Sequence, residues 1–196
     1  MTEELKKKVE RAVKFIQSIP NEEPIKLSYS GGKDSDVILA LTKMAGVNFT
    51  AIYNNTTIDP PGTIAYVKSR GAQVLQPKRS FLKIVEAKGM PSRWRRFCCS
   101  ELKERAVDGY NRVIIGIRRE ESIRRAQLYK EPEMCDMKHK GVKMYYPILD
   151  WTLADVKAFI EERGLRIHPL YYDDGAKLDV TRRLGCLGCP LMSKNN

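Results

Sequence analysis

The sequence predicts an α/β fold: a parallel, twisted sheet with helices on both faces. Three observations carry this. Short apolar runs rich in β-branched and aromatic residues alternate with helix-patterned stretches. Start and stop signals separate them at regular intervals. A tight glycine turn joins the first strand to the first following helix, the place where parallel α/β sheets bind ligands. At 196 residues the chain is long enough to bury a core and is expected to form one domain over residues 1–196. An N-terminal helix should occupy residues 1–20, and an irregular cysteine-containing tail residues 168–196.

In chain order, "MTEELKKKVERAVKFIQ" is an amphipathic helix with Leu5, Val9, Val13 and Phe15–Ile16 among charges. Ile25–Tyr29 is a strand, Asp34–Ala45 a helix, and Val47–Asn54 a second strand. "IDPPGTIAYVKSRG" is a proline-started helix stopped by Gly71. "AQVLQP" is a third strand, and "SFLKIVEAKG" a helix opened by Ser80 and closed by Gly89. "SRWRRFCCSELKERAV" has helical character, and Arg112–Ile117 is the most apolar strand. A late helix in "DWTLADVKAFIEERG" has Thr152 as N-cap and Asp155 at the capping-box position. The Met and Trp positions look like ordinary core.

Lysine and arginine number 35 against 24 acidic residues, a net charge of +11. This balance favours polyanionic partners: nucleotides, sulfated or phosphorylated metabolites, RNA or DNA. No apolar run is long enough for a membrane span. The N-terminal helix lacks the uninterrupted apolar segment of a signal peptide, so the expected location is the cytoplasm. Cysteines there serve more often as ligands or catalysts than as disulfides.

The turn "SYSGGKDSD" fails both familiar phosphate patterns. In Gly32-Lys33-Asp34 the residue after lysine is wrong for a Walker loop, whose earlier glycine would fall on Leu27. Gly31 and Gly32 are adjacent, which breaks G-x-G-x-x-G. The physical logic survives, because small residues ahead of a helix N-terminus let backbone N–H groups converge on an anion. Four of the five cysteines form two pairs, Cys98–Cys99 and the C-x-x-C of Cys186 and Cys189. Such pairs are metal ligands or redox partners, and directly adjacent cysteines are unusual for zinc.

Ser30-Gly31-Gly32-Lys33-Asp34-Ser35 resembles the PP-loop of the N-type ATP pyrophosphatases, Ser-Gly-Gly-x-Asp-Ser, in full. Together with "YNNTTIDPPGTIAYV", "GIRREESIRR", "PILDWTLADV" and "RLGCLGCP", it makes the chain similar to the phosphoadenosine-phosphosulfate (PAPS) reductase family from about Lys26 to Pro190. The resemblance implies that Ser28, Ser30, Gly31, Gly32, Lys33, Asp34, Ser35, Gly116 and Arg118 bind the nucleotide, ATP or an adenosine phosphosulfate. Asp34 would help to hold Mg²⁺. Lys33, Asp34, Arg118 and Arg125 would be catalytic, the arginines facing the anionic end of the substrate, where a guanidinium fork keeps its charge. Asp34 is expected at an exposed helix start. The Cys-Cys pair with a distant C-x-x-C resembles the [4Fe–4S] site of the adenylyl-sulfate branch. Cys98, Cys99, Cys186 and Cys189 are thus the implied ligands, with zinc and a metal-free thiol set as alternatives. Such a metal would staple the tail to the rest of the fold.

Cys135 is a core or surface thiol, a replacement ligand or a sulfur-carrying nucleophile. Arg93, Arg95 and Arg96 either attract an anion or form a solvated face. His139 and His168 are surface or packing groups. Two departures from the family matter. The sulfonucleotide reductases carry a catalytic cysteine in a C-terminal segment, and this chain ends at Asn196 without one; either that mechanism is absent or the chain is shortened. Their PP-loop is altered, whereas this one has the intact pyrophosphatase form. The first expectation is therefore adenylylation of a substrate by ATP with release of pyrophosphate, followed by iron–sulfur-assisted sulfur transfer. A PAPS or adenylyl-sulfate reductase releasing sulfite is the alternative, and a nucleotide-binding accessory module with a structural cluster is a third. The implied partners are a nucleotide, a sulfur donor or thiol reductant protein, and an RNA or DNA acceptor, with no membrane.

Overall fold

The computed structural model describes residues 1–103, 110–135 and 141–191. Its elements run α1 (Glu3–Gln17), β1 (Ile25–Ser28), α2 (Lys33–Ala45), β2 (Phe49–Asn54), α3 (Thr63–Ser69), β3 (Gln73–Leu75), α4 (Phe81–Lys88) and α5 (Phe97–Leu102). There follow β4 (Arg112–Ile115), α6 (Ile123–Leu128), β5 (Glu133–Cys135), β6 (Lys143–Tyr145) and α7 (Leu153–Glu162). The sheet order is β3-β2-β1-β4-β6-β5, and every pair is parallel except the edge pair β5–β6. The predicted α/β class is the observed one.

Travel along the sheet reverses after β3. Right-handed crossovers then place α4 and α5 on the face opposite α2 and α3, so helices cover both faces. The reversal makes β1 and β4 the switch point, with their carboxyl ends side by side. β1 is buried between them, Leu27 pairing with Ala51 on one side and Ile114 on the other. Thr2 caps α1, whose buried residues Leu5, Val9, Ala12 and Ile16 form one stripe. That stripe joins α2 and the Val156, Phe159 and Ile160 face of α7 in one core. Burying a side chain such as Phe159 contributes about 1.5–3 kcal/mol. Thr152 and Asp155 form the expected capping box, and Asp155 also takes Lys8 Nζ at 2.8 Å, tying α7 to α1.

Several boundaries differ from expectation. The two prolines do not start α3; they form a turn in which Thr63 N donates to Pro60 O, and Gly62 follows at φ 83°. Only Phe97–Leu102 of the predicted helix around the cysteine pair is helical. Ahead of it the Ser92 hydroxyl accepts from Arg95 N and closes a turn instead; residues 104–107 of that stretch lie outside the described residues. Strands β5 and β6 were not expected, and neither was α6, which buries no residue and so shows no apolar stripe. Trp151 is core, but Trp94 is 95% exposed and Met90 69%, against the expectation for both residue types. His168 packs edge-on against the Tyr66 ring as a buried group; His139 lies outside the described residues. Among the described residues no helix is long and apolar enough to cross a membrane.

Candidate functional site

The glycine turn leaves β1 at its carboxyl end and enters α2 with Gly32 as N-cap, a residue with no side chain to cap the helix. Gly31 sits at φ +73°, and a Cβ there would meet Val67 Cγ1 at 3.0 Å, so conformation and space both demand glycine. Ser35 Oγ donates to Gly32 O at 2.7 Å and receives Ser30 Oγ at 3.2 Å, which bends the loop over the helix start. The Tyr171 hydroxyl accepts from Lys33 N and from Leu184 N, joining loop and tail. Beneath the loop, buried Asp36 takes the Tyr29 and Tyr66 hydroxyls at 2.6 and 2.7 Å with Arg70 nearby. Burial pushes its carboxyl up to about 6 against the pull of those donors and of Arg70.

Asp34 is not an exposed helix start. Its Oδ1 accepts from Arg118 Nε at 2.7 Å and its Oδ2 faces Lys33 Nζ at 3.4 Å, while Arg118 is only 3% exposed. The loop after β4 can come this close because Gly116 has no side chain: a Cβ there would stand 3.0 Å from Asp34 O. Arg125, on α6, pairs with Glu121. Burial lowers the Lys33 pKa, and Arg118 and Arg183 lower it further while Asp34 opposes them. Burial likewise lowers Arg125, with Arg183 and Arg118 adding to it and Tyr129 and Asp34 opposing. Lys33 and Arg118 thus contact Asp34, with Arg125 within electrostatic reach of Arg118 and Arg183 of Lys33. Sequence reasoning missed Arg183. Its position directly before "LGCLGC" was the available signal, but only the folded tail brings it to the loop.

Ser28 and Ser30 line a cavity of about 160 Å³ with Tyr53, Asn54, Thr56, Asp59, Thr63, Lys103 and the tail residues Leu184 and Gly185. Next to it lies a smaller cavity, about 30 Å³, lined by all four paired cysteines, Cys98, Cys99, Cys186 and Cys189. Thr56 and Lys103 belong to both walls. The two cysteine pairs, far apart in sequence, converge as expected. Cys98 is raised by burial first and then by neighbouring Cys99, with Cys189 adding to the shift. Cys186 Sγ donates to Thr56 Oγ1 at 3.4 Å. Cys135 stands exposed on edge strand β5 and lines neither cavity. The donor set suits a thiolate-bound centre in chemistry and in convergence. Among the described residues, however, no three Cys, His, Asp or Glu side chains stand in a metal-holding arrangement. The tail is held by hydrogen bonds: Leu184 N to Tyr171, Leu187 N to Ile58 O at 2.8 Å, and Arg93 Nε to Pro190 O at 3.1 Å.

Comparison with known proteins gives one family match and three similar proteins. Residues 24–192 match the family described as phosphoadenosine phosphosulfate reductase domain. Over 177 residues, 85% of this chain and 41% of the other, it is 30% identical to an uncharacterized protein of Methanocaldococcus jannaschii. Its fold is similar to phosphoadenylyl-sulfate reductase from Candida auris in a phosphate complex, with a TM-score of 0.65 at 17% identity, covering 95% of this chain and 96% of that one. It is also similar to FMN adenylyltransferase of Candida glabrata in complex with FMN and an ATP analog, with a TM-score of 0.59 at 15% identity over 89% and 62% of the two chains. The chain spans about two fifths of the length of the first curated relatives it matches.

Proposed function

The chain belongs to the phosphoadenosine phosphosulfate reductase domain family, and from that membership we propose an enzyme that activates a substrate oxygen with ATP and prepares the activated centre for sulfur. The substrate oxygen bonds to the α-phosphorus of ATP as the bond to the β-phosphate oxygen breaks. Pyrophosphate takes the electron pair, and the proton of the attacking hydroxyl passes to solvent. An external sulfide then attacks the adenylated carbon, and AMP leaves with the oxygen and the electron pair of the broken carbon–oxygen bond. The chain's share is positioning and charge neutralisation, which dominate phosphoryl chemistry. Ser30, Ser35 and the N-terminal end of α2 orient the phosphates. Lys33, with Arg118, Arg125 and Arg183 behind it, balances charge on the leaving pyrophosphate.

Asp34 would hold Mg²⁺, which binds through one or two carboxylates together with phosphate oxygens. Cys98, Cys99, Cys186 and Cys189 would hold a four-thiolate iron–sulfur cluster, which when bound polarises a sulfur-bearing group beside the nucleotide. The observation that carries this reading is the intact Ser30–Ser35 loop over a cavity that shares Thr56 and Lys103 with the thiol cavity. Nucleotide and sulfur chemistry are then neighbours. The test is anaerobic ATP turnover with product identification. Pyrophosphate and AMP are expected; inorganic phosphate as the sole product overturns the mechanism.

A second reading, reduction of PAPS or adenylyl sulfate to sulfite by an external thiol, draws on the same four cations, which suit sulfate or phosphate as well as pyrophosphate. Sulfite formed from either sulfonucleotide, without ATP turnover, decides for it.

A further inference from the structure

The residues 88–96, "KGMPSRWRR", contain no acidic residue, and Trp94 among them is 95% exposed with no ring partner among the described residues. Exposing a whole indole forfeits the burial that normally keeps tryptophan inside. Arg93, Arg95 and Arg96 flank it, all exposed. Their hydrogen bonds go to Pro190 O, Lys88 O and Cys99 Sγ, so among the described residues none of the three has a carboxylate partner. The Arg93 bond seats this segment against the tail, at the rim of the thiol cavity that Pro91 and Pro190 line.

We propose that Trp94 and its flanking arginines form a docking site for a single-stranded polynucleotide, one base stacking on the indole and the guanidinium groups taking phosphates. An aromatic ring set among exposed arginines is the arrangement single strands use, because every base has a π-face and every linkage an anion. A duplex buries its bases and cannot stack on the ring. The net charge of +11 favours such a partner. The proposal stands on this surface and does not require ATP chemistry, though an acceptor held here would lie beside the cavities of the proposed reaction.

The test is fluorescence anisotropy of labelled ribo- and deoxyribo-oligomers of about 12 nucleotides, with a duplex in parallel, using the full chain. Trp94 is one of two tryptophans and Trp151 is buried, so quenching by the strand reports on Trp94. Expected are single-strand binding with quenching, about tenfold weaker in Trp94→Ala, and near-normal binding in Trp94→Phe. Arg95→Gln should flatten the log–log salt slope by about 0.7. Binding of either kind of strand meets the proposal. Unchanged affinity in Trp94→Ala, equal affinity for duplex, or no binding at about 50 mM salt overturns it. Pyrophosphate release measured on the wild-type preparation keeps a failure here distinct from a failure of the nucleotide reading, since strand binding by anisotropy is read without ATP.

Discussion

Arg118 Nε donates to Asp34 Oδ1 across 2.7 Å, so the loop after β4 and the first turn of α2 share a largely buried ion pair. The nucleotide loop is thereby braced from the neighbouring strand. Removing the carboxylate leaves the Arg118 guanidinium with Glu120 and the Trp151 carbonyl, and its Nε without the partner it had. Asp34→Ala is expected to abolish nucleotide turnover and to cost about 1–3 kcal/mol of stability, several degrees in Tm for a chain of this size. Calorimetry and a pyrophosphate assay read the two effects separately. Wild-type turnover in the variant removes Asp34 from the site.

Arg118→Lys keeps the charge but loses the planar fork that reaches Asp34 and Glu120 together. Weaker inhibition by inorganic pyrophosphate is expected, about tenfold. An unchanged inhibition constant would mean that Arg118 serves only the fold.

Arg183 is exposed, so Arg183→Gln should leave Tm unaltered. Loss of one charge-assisted hydrogen bond to a phosphate predicts about tenfold weaker nucleotide binding. Calorimetric titration checks it; equal affinities in the two proteins sink the assignment.

Asp36 makes stability depend on pH in an unusual direction for a carboxylate. Its folded pKa of about 6 lies above the unfolded value, so folding favours the protonated form. The resulting stabilisation is fully present below about pH 4 and is lost as pH rises through about 6. An Asp36→Asn variant accepts from one tyrosine through its amide oxygen, turns its amide N–H to the other hydroxyl, and has no proton to lose. The stability advantage of wild type over Asp36→Asn, from urea midpoints, should therefore shrink between pH 4.5 and 7.5. An advantage that grows with pH contradicts the burial argument.

Cys98, Cys99, Cys186 and Cys189 line one cavity and Cys135 does not. Anaerobic loading with iron and sulfide should therefore fail, or lose most of its visible absorbance, when any of the four is replaced by serine. Cys135→Ser should load normally. Normal loading in all four serine variants removes the cluster reading.

The parallel sheet was legible because each central strand is a short apolar run between unambiguous turn residues, and the glycine loop because its spacing admits few conformations. What stayed hidden depends on pairing between distant segments. Strands β5 and β6 are three residues each, with lysine and glutamate at their ends, and acquire strand identity only from each other and from β4. Arg183 comes within electrostatic reach of Lys33 only in the folded tail, beside Leu184, whose N–H the Tyr171 hydroxyl accepts. The same distance effect hid the tail's hydrogen-bonded anchors, the Tyr171 hydroxyl, Ile58 O and Arg93, which lie far from it in sequence. Trp94 breaks the rule that aromatic residues go inside, and nothing in its local pattern announces that.

The Tyr171 hydroxyl accepts one N–H from the phosphate loop and another from the tail. Two segments that meet at one oxygen cannot respond independently. Thermodynamic reciprocity then requires that whatever factor a nucleotide contributes to ordering residues 184–190, ordering those residues returns to nucleotide affinity. The tail is in this sense an effector carried on the same chain, and its cysteines give it a chemical handle.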